Sequence, residues 1–169
     1  MPIKIIDGDL FSTDAKIIVH QVNCMGKMGS GVALQVKKKF PHVYEEYLKA
    51  CNENMLGKIQ LVPIDKQYIG IAPGMVIRIP EDEQYICNMF SQENYGYDGK
   101  QYTSLDAMKK CFKLILGKTY YKNNLYNAKI AMPYKIGCVR GGANWGEVYN
   151  IIEEVFENRL VELYRLDKG

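Results

Sequence analysis

Little in this 169-residue chain points to a charged partner. The formal net charge is only +3, and the longest like-charge run is Lys37 to Lys39. Charge therefore gives no reason to expect nucleic-acid binding. No stretch approaches the ~18 apolar residues of a membrane span. The first residues, MPIKIIDGDLFS, carry no apolar run behind a basic start, so neither a membrane segment nor a secretion signal is expected. The five cysteines are odd in number and none lie at C-x-x-C spacing. They read as reduced thiols of a soluble, cytoplasmic protein. No cluster of His, Cys or carboxylates has ligand spacing, so neither a metal nor a cofactor is required. Internal repeats and low-complexity linkers are also missing, and residues 1 to 169 read as a single domain with an ordinary core.

What is present is punctuation by glycine. The segment HQVNCMGKMGSGVALQVKKKFP, residues 20 to 41, reads as a strand, a glycine-rich loop and a helix. Gly26, Gly29 and Gly31 let the backbone turn sharply and approach a ligand with its N–H groups exposed. A helix beginning near Ser30 would add the positive end of its dipole. A lone G-x-x-G-x-G is equally compatible with a tight connection. The P-loop pattern G-x-x-x-x-G-K-[ST] is not met, and the glycine order is wrong for a dinucleotide-binding fingerprint. A second cluster, IGCVRGGANW at 136 to 145, again follows an apolar strand and precedes a helix. Two such units can grip a diphosphate from two sides. Arg140 inside it is either a fixed charge for a phosphate or a solvated surface residue.

Apolar periodicity predicts strands over 2 to 6, 16 to 22, 58 to 64, 75 to 79, 84 to 90, 128 to 132 and 159 to 164. Helices are expected over 30 to 40, from Pro41 through 54, over 103 to 117 and over 145 to 157. A hairpin-like excursion is expected around Pro73 and Gly74. Alternation of the two kinds of element predicts an α/β fold with a mixed sheet between helical layers. SQENYGYDGKQY, residues 91 to 102, reads as a long functional loop, with Tyr95, Tyr97 and Tyr102 available to cover a base or ribose. His20 is one of two histidines and ends an apolar strand at the entrance to the first loop. It is either a satisfied structural side chain or a proton carrier near neutrality. His42 has no such context. Asp9 either caps a short turn or accepts from an exocyclic amine. Trp145 is expected to anchor its helix.

Together these residues resemble the macrodomain family of ADP-ribose binders across nearly the whole chain. GDLF at 8 to 11 is similar to the family's opening turn, whose Asp, here Asp9 followed by Leu10, contacts adenine. IVHQVN at 18 to 23 sits where relatives carry an asparagine-ended strand, so the resemblance makes Asn23 a ribose contact. GKMGSGVA at 26 to 33 resembles the loop that holds diphosphate and distal ribose, and IGCVRGGANW resembles the second phosphate loop. The implied architecture is a three-layer α/β/α macrodomain with a mixed central sheet. The implied ligand contacts are Asp9, Leu10, Asn23, Gly26, Met28, Gly29, Ser30, Gly31, Val32, Gly137, Cys138, Val139, Arg140, Gly141 and Gly142.

Two branches of the family are similar to this chain. One holds glycohydrolases that remove ADP-ribose from protein or DNA with a Lys after the fifth-strand motif and, in some members, an Asp in the second loop. Here those positions carry Gln92 and Gly141, and neither side chain can form a lysyl adduct or act as a base. Lys27 and Lys100 lie in nearby loops. The other branch is the yeast-type ADP-ribose 1''-phosphate phosphatase, which pairs a histidine with the same strand end and follows it with N-C and a glycine loop, as His20, Asn23 and Cys24 do here. MLGKIQLVP at 55 to 63 also resembles that branch. The resemblance thus implies ADP-ribose or ADP-ribose 1''-phosphate as ligand. His20 and Asn23 would be catalytic, His20 activating water or protonating the leaving sugar oxygen. The alternatives are hydrolysis of an ADP-ribosylated macromolecule or binding without turnover. Oligomeric state is not readable.

Overall fold

The computed structural model describes residues 3–70, 79–120 and 124–166. Six strands form one sheet: β1 (Ile3–Asp7), β2 (Ile17–Val22), β3 (Ile59–Pro63), β4 (Tyr85–Phe90), β5 (Ile130–Pro133) and β6 (Val161–Arg165). Their order is β1-β6-β5-β2-β4-β3. β3 runs antiparallel to β4, and every other pairing is parallel. The helices are α1 (Gly31–Lys39), α2 (Pro41–Ala50), α3 (Leu105–Lys118) and α4 (Trp145–Val155). Six of the seven expected strands and all four expected helices are present. The strand expected over 75 to 79 and the excursion at Pro73 and Gly74 fall almost wholly outside the described residues. Three short 3-10 turns, Leu10–Ser12, Glu53–Met55 and Lys66–Tyr68, escaped the periodicity argument because a three-residue element shows no period. The G-K-T triplet at Gly117 to Thr119 has Phe112 where a P-loop carries its first glycine, and it closes α3 instead of opening a helix.

Local chemistry explains the boundaries. Ser104 caps α3 by accepting from the Ala107 N–H, and Asn144 caps α4 by accepting from the Glu147 N–H. Pro41 opens α2 at a position where its missing N–H costs nothing. Along β2 the side chains alternate between two layers. Ile17 and Val19 join the core beneath α3 and α4. Ile18 joins the cluster under α1, and Val22 the one that holds Tyr47 of α2. A central parallel strand covered on both faces reads as an unbroken apolar run, and β4 is buried at all six positions. Phe112 of α3 meets Phe156 at 5.4 Å, and Tyr134 meets Trp145 at 5.0 Å, so Trp145 does anchor α4.

This topology positions the site. β5, β2 and β4 are adjacent and parallel, so the loops after all three leave the same end of the sheet. The chain after β2 turns into α1 on one face, whereas the chain after β5 turns into α4 on the other. A crevice opens where neighbouring strands send their connections to opposite faces.

Candidate functional site

That crevice is a cleft of about 660 Å³, within the ~300–1,000 Å³ range of small-molecule sites. Both glycine loops wall it, through Gly29 to Ala33 on one side and Pro133 to Gly137 with Val139, Arg140 and Gly141 on the other. The long loop adds Gln92, Tyr95, Gly96 and Tyr97. Lys27, Lys135 and Arg140 are among the described lining residues, and no Asp or Glu is. The cleft is therefore built for an anion.

The first loop is held open by its own side chains. Asn23 Oδ1 accepts from the N–H groups of Met25 and Lys27 at 3.0 and 3.3 Å, and Nδ2 donates to the Lys27 carbonyl at 2.9 Å. The Tyr47 hydroxyl of α2 sits 2.7 Å from the Asn23 carbonyl and 2.9 Å from Oδ1. Met28 is buried with Val22, Tyr47 and Phe90 and pins the loop to the core. Gly31 has φ +59°, a conformation in which glycine carries no Cβ penalty. The Ser30 side chain makes no cap bond, unlike Ser104 and Asn144, and no acidic residue occupies the first turn of α1. The N–H groups of the first turn of α1 thus face the cleft without a side-chain acceptor, at the positive end of the helix.

The second loop is packed so closely that its glycines are obligatory. A Cβ at Gly141 would lie 2.0 Å from Thr103 Oγ1, 2.5 Å from the Gly137 carbonyl and 2.8 Å from Gln21 Nε2. A hydrogen-bonded cluster explains this crowding. Gln21 Nε2 donates to Gln92 Oε1 and to Thr103 Oγ1, Ser91 donates to Gln21 Oε1, and Thr103 donates to the Gly137 carbonyl at 2.8 Å. The residue in the lysine position, Gln92, is thus a buried strut between β2 and the long loop. Gln21, Ser91 and Thr103 were not anticipated, since isolated polar residues at strand and loop ends carry no motif. Arg140 lies over the Tyr97 ring, 4.9 Å from its centroid. Tyr97 is 64% exposed and Val139 79%, so this flank forms the outer rim. Tyr102 is off the cleft; its hydroxyl bonds Asp98 and packs beneath Gly96, where a Cβ would be 2.2 Å away.

His20 is 1% exposed and lines the cleft floor. Its Nε2 bonds Asn88 Oδ1 at 2.6 Å, while Nδ1 is buried with no partner among the described residues. Burial pushes the imidazole down to about 4, with the Asn88 bond opposing weakly. At neutral pH it is uncharged. The loop thiols are no nucleophiles at that pH: burial pushes both Cys24 and Cys138 up to about 11.

Of the expected contacts, His20, Asn23, Gly29, Ser30, Gly31, Val32, Gly137, Val139, Arg140 and Gly141 meet in one cleft. Gly26, Met28, Cys138 and Gly142 are not among the residues that line it. Gly26 donates to Cys51 Sγ, and a Cβ at Gly142 would meet the Lys100 carbonyl at 2.6 Å. Asp9 caps the turn at Leu10–Ser12 by accepting from the Phe11 N–H at 3.0 Å, and Leu10 is buried in the core under α1. Of the two readings of Asp9, capping is the one the structure displays. Lys100 pairs with Asp98 outside the cleft. Pro133, Tyr134 and Ile136 line it without having been singled out.

Known proteins are similar to this chain. The chain is 36% identical to an ADP-ribose 1''-phosphate phosphatase of Saccharomyces cerevisiae, with 90% of each protein covered. It is 44% identical over 150 residues to a DNA ADP-ribosyl glycohydrolase of Mycobacterium tuberculosis. That match takes in 89% of this chain but 37% of the relative, so the chain spans little more than a third of the glycohydrolases it resembles. The solved macrodomain of Thermus aquaticus DarG superposes with a TM-score of 0.69 at 25% identity, covering 98% of this chain and 97% of that one. The family model described as Macro domain matches residues 19–152, which include both loops, the end of β2 and all of β5. A mixed six-stranded sheet, a cleft at its crossover and this match have one reading: the chain belongs to the Macro domain family.

Proposed function

We propose that this protein binds ADP-ribose in the cleft and hydrolyses the terminal phosphate of ADP-ribose 1''-phosphate. The observation that carries the binding is that two glycine loops, distant in sequence, wall one cationic cleft that opens on the uncapped end of α1. Backbone N–H groups of the two loops take the diphosphate, and Arg140 adds a guanidinium. The remaining N–H of Asn23 Nδ2 is available to a ribose hydroxyl.

The chemistry follows from the state of His20. A neutral imidazole with a bare Nδ1 must accept a proton before it can donate one. Water attacks the terminal phosphorus and passes its proton to Nδ1. The bond from phosphorus to the anomeric oxygen breaks, and that oxygen takes the proton back, leaving ADP-ribose and inorganic phosphate. General-base assistance contributes ~10²–10⁴-fold when the base titrates near the working pH, and an imidazole held near 4 belongs at the lower end of that range. The similarity to the yeast phosphatase over 90% of both chains supports this reaction.

A second reading, release of ADP-ribose from DNA, is favoured by the 44% identity to the mycobacterial glycohydrolase. Against it stand the amide of Gln92 and the absence of room for any side chain at Gly141. The test is a turnover screen over ADP-ribose 1''-phosphate, ADP-ribosylated protein and ADP-ribosylated DNA, with calorimetry against ADP-ribose as binding control. Phosphate release that disappears in His20→Ala while ADP-ribose affinity survives is the expected result. Equal release by wild type and variant removes His20 from the mechanism, and release of free ADP-ribose from modified DNA replaces the first reading with the second.

A further inference from the structure

Three side chains cross β2, β4 and β3 at one level, since His20 is the register partner of Asn88 and Asn88 that of Gln60. His20 and Asn88 are both buried. Polar groups in such a place are costly unless bonded, and all of these are bonded except one atom. Gln60 Nε2 lies 2.8 Å from the Glu46 carbonyl of α2, Asn88 Nδ2 lies 2.9 Å from Gln60 Oε1, and Asn88 Oδ1 lies 2.6 Å from His20 Nε2.

The chain has a direction, and its far end imposes it. A backbone carbonyl can only accept, so the Gln60 atom beside it must be the amide nitrogen. Gln60 Oε1 then faces Asn88 and requires the Asn88 nitrogen there. That turns Asn88 Oδ1 toward His20, and an acceptor at that point requires a proton on Nε2. A neutral imidazole carries one N–H, so Nδ1 is left as a lone-pair acceptor. Nδ1 is the ring atom that has no partner among the described residues. An unpaired buried polar atom is costly, and such exceptions in folded proteins call for a functional explanation. His20 lines the cleft.

We propose that Gln60 and Asn88 are positioning residues, a one-way hydrogen-bond relay anchored on the Glu46 carbonyl that holds His20 as the Nε2–H tautomer and reserves Nδ1 as proton acceptor for the cleft. The functional half of this statement rests on the reading of His20 as the base; the tautomer does not. A wrong tautomer is expensive where a histidine must accept a proton, as in serine proteases, where loss of the orienting carboxylate costs ~10⁴ in kcat.

The experiment is long-range ¹H–¹⁵N correlation NMR of the whole chain at neutral pH, read at His20. His42 is the only other histidine, and His42→Gln assigns the signals. Wild type should show a single Nε2–H form. Asn88→Asp should keep the proton on Nε2, since a carboxylate also only accepts, but it presents no donor to Gln60 Oε1 and its charge favours the imidazolium. Gln60→Met removes the anchor and leaves the Asn88 amide free to rotate, so it should show both tautomers. In turnover of ADP-ribose 1''-phosphate, Gln60→Met should lower kcat at least about tenfold with KM within about twofold. An Nδ1–H wild type, or a single unchanged tautomer in folded Gln60→Met, overturns the relay whatever the turnover. A wild type with the Nε2–H form and no phosphatase activity overturns the catalytic reading and leaves the relay standing. If Gln60→Met does not fold, the wild-type spectrum and Asn88→Asp still decide, because an Nδ1–H wild type, or loss of the Nε2 proton in Asn88→Asp, contradicts the relay.

Discussion

Lowering the pH should destabilise this protein through His20, and the size of the effect follows from its burial. The folded imidazole takes up its proton only near pH 4, whereas an unfolded histidine does so near 6.5. Between those values the unfolded chain binds the extra proton and the folded one does not. Stability from this group is therefore fully present above about 6.5 and declines as pH falls toward 4. At ~1.4 kcal/mol per pH unit, the whole interval is worth roughly 3 kcal/mol, a large share of the ~5–15 kcal/mol of a typical domain. Urea unfolding measured every half unit from pH 7.5 to 4.5 on wild type and His20→Leu isolates it. Carboxylates such as Asp14, held low by Lys129, titrate identically in both proteins. Loss of the Asn88 partner in the variant adds an offset that does not change with pH. The difference in stability between the two should shift against wild type by about 1 kcal/mol per pH unit below pH 6. Parallel curves over that range would refute the claim that His20 is buried and neutral, and with it the proton-acceptor role.

Three further outcomes follow from the loops. Ser30→Asp supplies the missing cap of α1 and places a negative charge where a phosphate is expected; thermal stability should hold or rise slightly while ADP-ribose affinity by calorimetry falls at least about tenfold, and unchanged affinity would remove the α1 terminus from the site. Gly141→Ala puts a methyl group against Thr103 and the Gly137 carbonyl. It should cost at least about 2 kcal/mol in urea unfolding, and wild-type stability would mean the loop has slack. Tyr47→Phe removes the hydroxyl that reaches both oxygens of Asn23; a loss of about 1 kcal/mol accompanied by weaker ADP-ribose binding is expected, and a loss of stability with undiminished affinity would show that the first loop keeps its shape without it.

Much of this was legible in the letters. The buried strands β2 and β4 show as apolar runs because both faces are covered, and α1 and α2 show through a helix opening near Ser30 and through Pro41. Both glycine loops could be found as strand-loop-helix units, and His20 was marked by its place at a strand end. The polar cluster of Gln21, Ser91, Gln92 and Thr103 was not visible, because its members belong to segments up to 82 residues apart and bond side chain to side chain. The relay of Gln60, Asn88 and His20 was hidden for the same reason.

The sequence by itself determined where α1 to α4 and β1 to β6 run, within a few residues at their ends, and which loops have the glycines to receive an anion, because those depend on local sterics and on hydrophobic period. Only the tertiary structure decided that the loops after β2, β4 and β5 meet, since strand order depends on which buried faces pack together. It also decided that His20 is neutral with Nδ1 bare. Protonation and tautomer are set by surrounding dielectric and by partners on other strands, and neither is a property of a residue or its neighbours in the chain.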